Sequence, residues 1–223
     1  MLGGMPRIFA LLLAGLALVA CSSAQTAAPN TNLFNGKDLD GWEMTATPAA
    51  DSSSTFRFAP DGTLAVTGSP IGFLATKATY KNYRLHVEWR WPANAARNSN
   101  AGVLLHIASG PKDRAWPLSF QVQTKPTRAG DLLPMAGATF TEKLTSAPDA
   151  KTPQLYRHAD SSEKPLGEWN SCDIVCRDGS IEITVNGVLQ NKVSGAKPDS
   201  GRVGFQCEGT PYELRNVRLE KLD

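Results

Sequence analysis

Three cysteines in the body of the chain are the first residues whose type and spacing could support chemistry. Cys172 and Cys176 lie four residues apart in a predicted strand, so they share a face with Cα atoms about 13 Å apart. Bridged cysteines need Cα atoms closer than about 7 Å, so these two cannot pair with each other. Either could pair with Cys207 if their strands adjoin, but we expect buried free thiols. The spacing matches no zinc motif.

The sequence also lacks the short signatures of several enzyme classes. No GxGxxG loop follows a predicted strand and opens a helix, which argues against a dinucleotide-binding fold. Neither a GxSxG nucleophile elbow nor an HExxH metal pair is present. Any chemistry therefore depends on residues that the fold brings together from distant segments.

A fourth cysteine, Cys21, directly follows a predicted secretion signal, which is expected to be cleaved before it. Arg7 precedes an apolar run of 13 residues, Ile8 to Ala20, which is shorter than the roughly 20 residues that span a bilayer and suits a signal peptide. The end of the run, Leu18-Val19-Ala20-Cys21, resembles the bacterial lipobox, whose cysteine is lipidated. An ordinary signal peptide with an incidental cysteine is the alternative. The resemblance implies a lipid-anchored envelope protein. Ser22 rather than Asp follows Cys21, which by resemblance to the sorting rules of two-membrane bacteria implies the outer membrane, facing the periplasm or the cell surface.

The chain divides into three parts by composition. Residues 1–20 are the predicted signal peptide, residues 21–31 are the lipidated cysteine with a small, polar tether, and residues 32–223 are expected to form one domain.

The charge of the chain gives no reason to expect a nucleic-acid partner. The 23 basic side chains nearly balance the 21 acidic ones, whereas nucleic-acid binding needs a clustered basic face. The only membrane contact predicted is the lipid anchor, and the sequence does not define an oligomeric state.

Alternating apolar and polar residues predict strands throughout the domain. The clearest run is 83–91, and 101–108 is a mostly apolar run typical of a central strand. Further predicted strands are 119–123, Cys172–Cys176, Ile181–Val185, Arg202–Cys207 and Tyr212–Leu219.

Turn residues separate the strands near the C-terminus. Asp178-Gly179 and Asn186-Gly187 are strong hairpin signals because both central residues of such turns take positive φ. Residues 125–166 contain many prolines and glycines, and are either a binding loop or a plain surface excursion. Together these features predict an all-β fold, a two-sheet antiparallel β-sandwich or jelly roll.

Six short runs lie in order along residues 33–223, at 33–42, 98–107, 116–131, 162–170, 186–191 and 206–217. They resemble, in the same order, the patterns LFNGKDLxGW, NSGVLLHI, WPxxxExQ…GD, EKPxGEWN, NGVLQN and QxEGxPIEFRNV. These patterns are typical of one family, the 3-keto-disaccharide hydrolase domain family.

The resemblance implies a concanavalin A-like jelly roll that acts on a carbohydrate, a glycoside whose C3 hydroxyl is oxidised to a ketone. The ketone acidifies the C2 hydrogen, so a base can form the enolate and the group on C1 can leave. Such a site needs a base tuned near the working pH and a donor or cation aimed at the oxyanion. No cofactor follows from the sequence, although a divalent cation would serve the same purpose.

Candidate site residues follow from the matching motif positions. His106 is the expected base, with Arg90 and Glu208 as catalytic partners in one pocket. Residues expected to contact the sugar are Asn98, Gln121, Gln123, Asp131, Glu168, Trp169, Gln206 and Arg215.

Gln121 departs from the family pattern, which has glutamate there. A glutamine can hydrogen-bond a sugar but cannot accept a proton at neutral pH. Three hypotheses therefore stand: an enzyme that cleaves 3-keto-glycosides, a lectin-like lipoprotein that binds sugar without cleaving it, and a structural envelope lipoprotein. A pocket holding His106, Arg90 and Glu208 would favour the enzyme, whereas a groove lined by aromatic rings and amides would favour the lectin.

Overall fold

The computed structural model describes Met1 and residues 30–223, so the predicted signal peptide and Cys21 lie outside the described residues. No helix in the described part has the length and apolar character needed to cross a membrane. The elements in chain order are β1 (Thr31–Asn32), β2 (Trp42–Thr47), α1 (Ser52–Thr55), β3 (Phe56–Phe58), β4 (Leu64–Val66), β5 (Ile71–Thr76), β6 (Tyr83–Arg90), β7 (Gly102–Ile107), β8 (Pro111–Asp113), β9 (Trp116–Pro117), β10 (Ser119–Gln123), β11 (Leu132–Met135), β12 (Asn170–Arg177), β13 (Ser180–Val185), β14 (Val188–Val193), β15 (Arg202–Cys207) and β16 (Tyr212–Lys221).

Two antiparallel sheets form a β-sandwich, which confirms the predicted fold class. The larger sheet has the order β14-β13-β12-β6-β16-β4-β3, with β1 added to β16. The smaller sheet has the order β11-β10-β7-β15-β5-β2, and β8 and β9 form a separate hairpin. Several neighbouring strands, such as β6 and β16 or β7 and β15, come from distant parts of the sequence, so the fold brings together the segments that flank them.

The main core lies between the two sheets. Alternate residues of β6, from Tyr83 to Trp89, are fully buried, and they pack on Phe120 and Phe205 of the smaller sheet. Each such side chain contributes about 1.5–3 kcal/mol by leaving water. The alternation read from the sequence of this strand therefore defines one wall of the core.

The smaller sheet is covered on its other face as well. All six residues of β7 are buried, and Leu104 belongs to a second apolar cluster with Phe73, Trp116, Leu133 and Met135. Successive strand residues point to opposite faces, so this cluster lies on the face turned away from the main core. The outer face of the smaller sheet is thus partly enclosed, whereas the outer face of the larger sheet carries paired charges.

The predicted buried free thiols are confirmed. Cys172, Cys176 and Cys207 are free and buried. Burial raises the pKa of the Cys176 thiol to about 12 and that of Cys207 to about 11, so these groups stay protonated at neutral pH.

The two predicted hairpin turns are confirmed as well. The turns at Asp178-Gly179 and Asn186-Gly187 have positive φ at both residues, as their sequences predict.

Candidate functional site

A polar groove of about 310 Å³ lies on the outer face of the smaller sheet. Gln121 and Gln123 of β10 line its floor, and Trp116, Leu133 and Met135 form an apolar wall. Ligand pockets commonly have volumes of about 300 Å³ or more. The groove is therefore large enough for a sugar-sized ligand.

Three amide side chains form a hydrogen-bonded ladder at the floor of this groove, where Gln121 and Gln123 line it and the fully buried Gln206 supports them. Gln206 Nε2 donates to Gln121 Oε1 at 3.2 Å, and Gln121 Nε2 donates to Gln123 Oε1 at 3.3 Å. Gln123 Oε1 also accepts from the backbone N–H groups of residues 124 and 125, each at 3.2 Å. These bonds fix the orientation of each amide, so the floor presents a preorganised polar surface.

Glu208 supplies the carboxyl group that lines the groove. It follows β15 directly, it is partly buried, and its Oε2 atom is buried without a hydrogen-bond partner in residues 30–223. Burial raises the pKa of this carboxyl, while Asn100, Arg114 and Lys125 act in the opposite direction. The result is a carboxylate of increased basicity, one oxygen of which has no hydrogen-bond partner in the described residues.

Three basic side chains, Arg114, Lys125 and Arg128, line the same groove. Within the described part of the chain, no carboxylate lies within ion-pair distance of the Lys125 ammonium. Because Lys125 also lowers the pKa of Glu208 electrostatically, its charge lies near that carboxyl. The groove therefore combines a base with a nearby cation.

His106 does not lie in this groove, which corrects its predicted place beside Glu208. The ring is 1 % exposed and packs edge-on against Tyr83 and Phe120, at centroid distances of 5.7 and 6.2 Å. Nδ1 bonds to the Pro198 carbonyl oxygen at 3.1 Å, and burial lowers the pKa of the imidazole. A neutral ring enclosed by the core has no access to a ligand in the groove.

A β-bulge explains the inward orientation of His106. Strict alternation would put its side chain on the same face as Leu104, towards the groove. His106 instead has φ of 53°, and the register between β7 and β15 shifts at this point. Gly201 permits the close approach, because a Cβ there would lie 2.5 Å from the His106 carbonyl carbon.

His106→Ala tests this assignment. We expect the free energy of unfolding to fall by about 1–3 kcal/mol, because the variant leaves a cavity in the core. Turnover of the 3-keto-glycoside expected from the sequence, measured per folded molecule, should stay close to that of the unaltered protein. Thermal unfolding and steady-state kinetics measured on the same preparation check both points. A variant with unchanged stability and no turnover would restore the imidazole as the base.

Arg90, Trp169 and Arg215 lie on the outer face of the larger sheet, so they do not share a pocket with Glu208 as predicted. Both guanidinium groups stack on the Trp169 ring, at 4.7 and 4.0 Å from its centroid. Their Nε atoms each donate to a glutamate, Glu213 or Glu88, at 2.6 Å. These arginines are engaged in ion pairs and aromatic stacking on the opposite side of the sandwich.

Three of the remaining predicted contacts do not line the groove. Asn98 is exposed on the loop before β7, and Glu168 is exposed and lines a separate hollow of about 370 Å³. Asp131 is fully buried behind the groove, where it accepts from the backbone N–H of Arg157 at 2.8 Å. Gln121, Gln123, Gln206 and Glu208 are the predicted residues that the structure brings together.

Several groove residues were missed from the sequence. Asn100 lies beside Glu208, two positions from the predicted Asn98 in the same motif, and the repeated asparagine was the signal for it. Trp116 was also missed, although the Trp-Pro pair at the start of the run 116–131 was the signal for it. No sequence signal pointed to Thr152 and Gln154, which come from the irregular segment 125–166. That segment contributes to the groove wall, which supports its interpretation as a binding loop.

Metal-ligand side chains do not cluster in the described part of the chain. No group of three or more His, Cys, Asp or Glu side chains there is arranged to hold a metal ion. Positive charge at the groove comes from the arginine and lysine side chains named above.

A family comparison matches residues 29–220 to the model of the 3-keto-alpha-glucoside-1,2-lyase-like domain. The chain belongs to this family. The match covers most of the chain and agrees with the six motif runs in the sequence. Membership in the lyase-like family supports a carbohydrate-active function. A search of curated protein sequences finds no match.

Solved structures support the fold of this lyase-like domain. A candidate glycosyl hydrolase from Parabacteroides distasonis superposes with a TM-score of 0.61 at 24 % identity, covering 87 % of this chain and 94 % of that one. A non-specific endo-beta-1,3(4)-glucanase gives 0.56 at 14 % identity, covering 88 % and 94 %. The carbohydrate-binding module CBM66 of Bacillus subtilis gives 0.55 at 9 %, covering 81 % and 96 %. At these identities the likeness concerns the fold.

Gln121, the departure from the lyase-like family pattern, matches its surroundings in this chain. A carboxylate at position 121 would place an acceptor oxygen against the Gln123 Oε1 acceptor, where the amide Nε2 now donates. Gln121 therefore completes the amide ladder, and the carboxyl group of this groove is supplied by Glu208.

Proposed function

We propose that this protein cleaves 3-keto-glycosides by removing the C2 proton and eliminating the group on C1, with Glu208 as the base. The observation that carries the proposal is the Glu208 carboxyl: it lines the groove, burial raises its pKa, and one of its oxygens has no partner in residues 30–223. A base of this kind needs a pKa nearer the working pH than that of an exposed carboxylate.

The proposed reaction has two steps. The Glu208 carboxylate accepts the C2 proton, and the electron pair of the C–H bond forms an enolate across C2, C3 and the former ketone oxygen. The enolate then re-forms the ketone, the C1–O bond breaks, and the departing oxygen takes a proton from the Glu208 carboxylic acid. Products are an alcohol and a 2-hydroxy-3-keto-glycal, and addition of water across C1 and C2 completes a net hydrolysis.

Other groove residues have complementary roles in this proposal. The Lys125 ammonium, near Glu208, stabilises the negative charge that develops on the enolate oxygen. Trp116 is 5 % exposed on the apolar wall and offers part of its indole to the sugar ring. The amide ladder offers fixed hydrogen-bond partners to hydroxyl groups.

Turnover of a 3-keto-glucoside by the purified protein tests the proposal. We expect release of the alcohol from the 3-keto substrate and none from the matched glucoside with an ordinary C3 hydroxyl, because only the ketone acidifies the C2 hydrogen. Equal rates on both substrates would contradict the elimination. Detection of the glycal, or of its water adduct, distinguishes elimination from direct displacement at C1.

Sugar binding without cleavage is the second candidate function. The amide ladder and the Trp116 wall favour it, because amides and aromatic rings bind sugars without transferring protons. Calorimetric binding of the 3-keto-glucoside with no detectable product would support the lectin-like role.

The pH dependence of turnover provides a test of the base. Glu208 acts only when deprotonated, so kcat/KM should fall as the pH drops through its pKa, which burial places above the ordinary value. Asn100 lowers that pKa, so Asn100→Ala should move the acid limb of the profile to higher pH. Asn98→Ala, at the exposed neighbouring position, is the matched control. An acid limb that does not move in Asn100→Ala would argue against Glu208 as the titrating group.

The proposed setting for this activity is the cell envelope. The run Ile8 to Ala20 and the lipobox-like sequence at Cys21 support export and lipid anchoring, with residues 22–31 as the tether to the domain.

A further inference from the structure

Arg128 is held in a defined orientation at the edge of the groove that adjoins β11. Its guanidinium carbon lies 4.8 Å from the Tyr156 ring centroid, and its Nη1 lies 3.7 Å from Oδ2 of Asp131. Asp131 is fully buried and is itself fixed by the backbone N–H of Arg157 at 2.8 Å. The 3.7 Å separation is longer than a hydrogen bond, so the N–H donors of Arg128 remain available, and 47 % of the side chain is exposed.

Arg128 and the proposed base reach the groove from different strands. Glu208 follows β15, whereas Arg128 precedes β11, and β7 and β10 lie between those two strands. Three inter-strand spacings correspond to about 14 Å between the backbones of β15 and β11, and both side chains extend from there into the groove. Among the basic groups that line the groove, Arg114 and Lys125 lower the pKa of Glu208, whereas Arg128 acts on Asp131. A ring whose C2 lies at Glu208 therefore leaves Arg128 free to contact the next unit of the substrate.

A fixed guanidinium group favours one class of ligand. Its planar donors match the paired oxygens of a carboxylate or a sulfate, and such charge-assisted bonds are stronger than those to neutral hydroxyls. The groove lining as a whole carries three basic side chains and one carboxyl, which favours an anionic ligand.

We propose that the preferred substrate is an acidic glycoside whose leaving group carries a carboxylate or a sulfate ester, bound by Arg128. This inference rests on the proposed function. The leaving group departs from C1, the carbon next to the one that Glu208 deprotonates, and it extends along the groove towards Arg128. The keto ring stays at Glu208, Lys125 and Trp116.

Matched substrates test this inference: a 3-keto-glucoside of glucuronic acid, one of a sulfated glucose, and one of unmodified glucose. We expect kcat/KM to be about 10- to 100-fold higher for the acidic pair than for the neutral substrate. The ratio should decrease as salt is added, because Arg128 is partly exposed. If only the glucuronic acid derivative or only the sulfated derivative is preferred, that result identifies which anionic group Arg128 binds. Equal rates for all three substrates overturn the inference.

Arg128→Gln should bring the ratio of acidic to neutral kcat/KM close to one, and Arg128→Lys should retain part of it. Arg84→Gln, at an ion-paired arginine on the other sheet, is the matched control and should keep the full ratio. A full preference in folded Arg128→Gln would overturn the inference. So would a preference that requires the charge on C6 of the keto ring instead of the leaving group.

Binding measurements separate this inference from the proposed function. The parent disaccharides with an ordinary C3 hydroxyl do not undergo elimination, yet they carry the same leaving groups. Tighter calorimetric binding of the acidic disaccharide, lost in Arg128→Gln, would support the anion site even if no 3-keto-glycoside is turned over. Equal binding of the acidic and neutral disaccharides would overturn it whether or not turnover is found.

Discussion

Glu208→Gln is expected to lower kcat for a 3-keto-glucoside by about 10²- to 10⁴-fold, the usual range for removal of a general acid–base group. The amide keeps the size and the polar character of the side chain but cannot accept the C2 proton at neutral pH. The apparent affinity for the sugar should change much less, because the amide ladder and Trp116 remain in place. Steady-state kinetics and calorimetry on the same variant separate the two effects.

Glu168→Gln is the matched control, because Glu168 is exposed and lines a different hollow. It should retain kcat within about twofold, as surface substitutions away from a site usually do. Unchanged turnover in Glu208→Gln would contradict its role as the base. If the unaltered protein also shows no turnover while both proteins bind the sugar, the lectin-like function accounts for the groove.

Local sequence rules predicted much of the sandwich. Alternation in β6 placed Tyr83 to Trp89 towards the core, and the Asp178-Gly179 and Asn186-Gly187 turns were predicted from their positive-φ preference. These features depend on backbone geometry within a few residues of each other. The N-terminal strands β2, β4 and β5 were not predicted. In β5, five of the six residues are buried, so the strand lacks the alternation of polar and apolar residues that identified β6.

The site was harder to predict because alternation does not say which outer face bears a groove. Arg90 and Arg215 lie on the polar sides of their strands as expected, but those sides face outwards from the larger sheet. His106 was misplaced because the β-bulge reverses its direction, and a bulge depends on pairing with a distant strand. Gln121, Gln123, Gln206 and Glu208 were placed together only through the family resemblance.

The strongest run of the family pattern, residues 33–42, stabilises the fold rather than the groove. Trp42 is buried, with its ring centroid 4.9 Å from that of Phe34 and 5.8 Å from that of Phe205. Its Nε1 donates to the Leu33 carbonyl oxygen at 3.0 Å, which closes the opening segment. Phe205 directly precedes Gln206 of the amide ladder, so this aromatic cluster supports the floor of the groove from the core side.

Trp42→Ala should therefore lower the free energy of unfolding by about 3–5 kcal/mol, the cost typical of truncating a buried aromatic side chain. Trp42→Phe keeps an aromatic ring but loses the indole N–H bond, so a smaller loss of about 1–2 kcal/mol is expected. Chemical denaturation followed by far-UV circular dichroism measures both. At concentrations of denaturant where each variant is folded, turnover of the 3-keto-glucoside should be retained.

Trp169→Ala is the matched control, since it removes an indole that is only partly buried on the outer face of the larger sheet. Its stacking with Arg90 and Arg215 is partly exposed to solvent, so its loss should cost about 1 kcal/mol or less. Equal losses for Trp42→Ala and Trp169→Ala would contradict the core role of the opening motif. Trp42→Phe keeps an aromatic ring beside Phe34 and Phe205, whereas Trp42→Ala does not, and both lack the indole N–H. Equal instability of these two variants would therefore assign the effect to the hydrogen bond with Leu33.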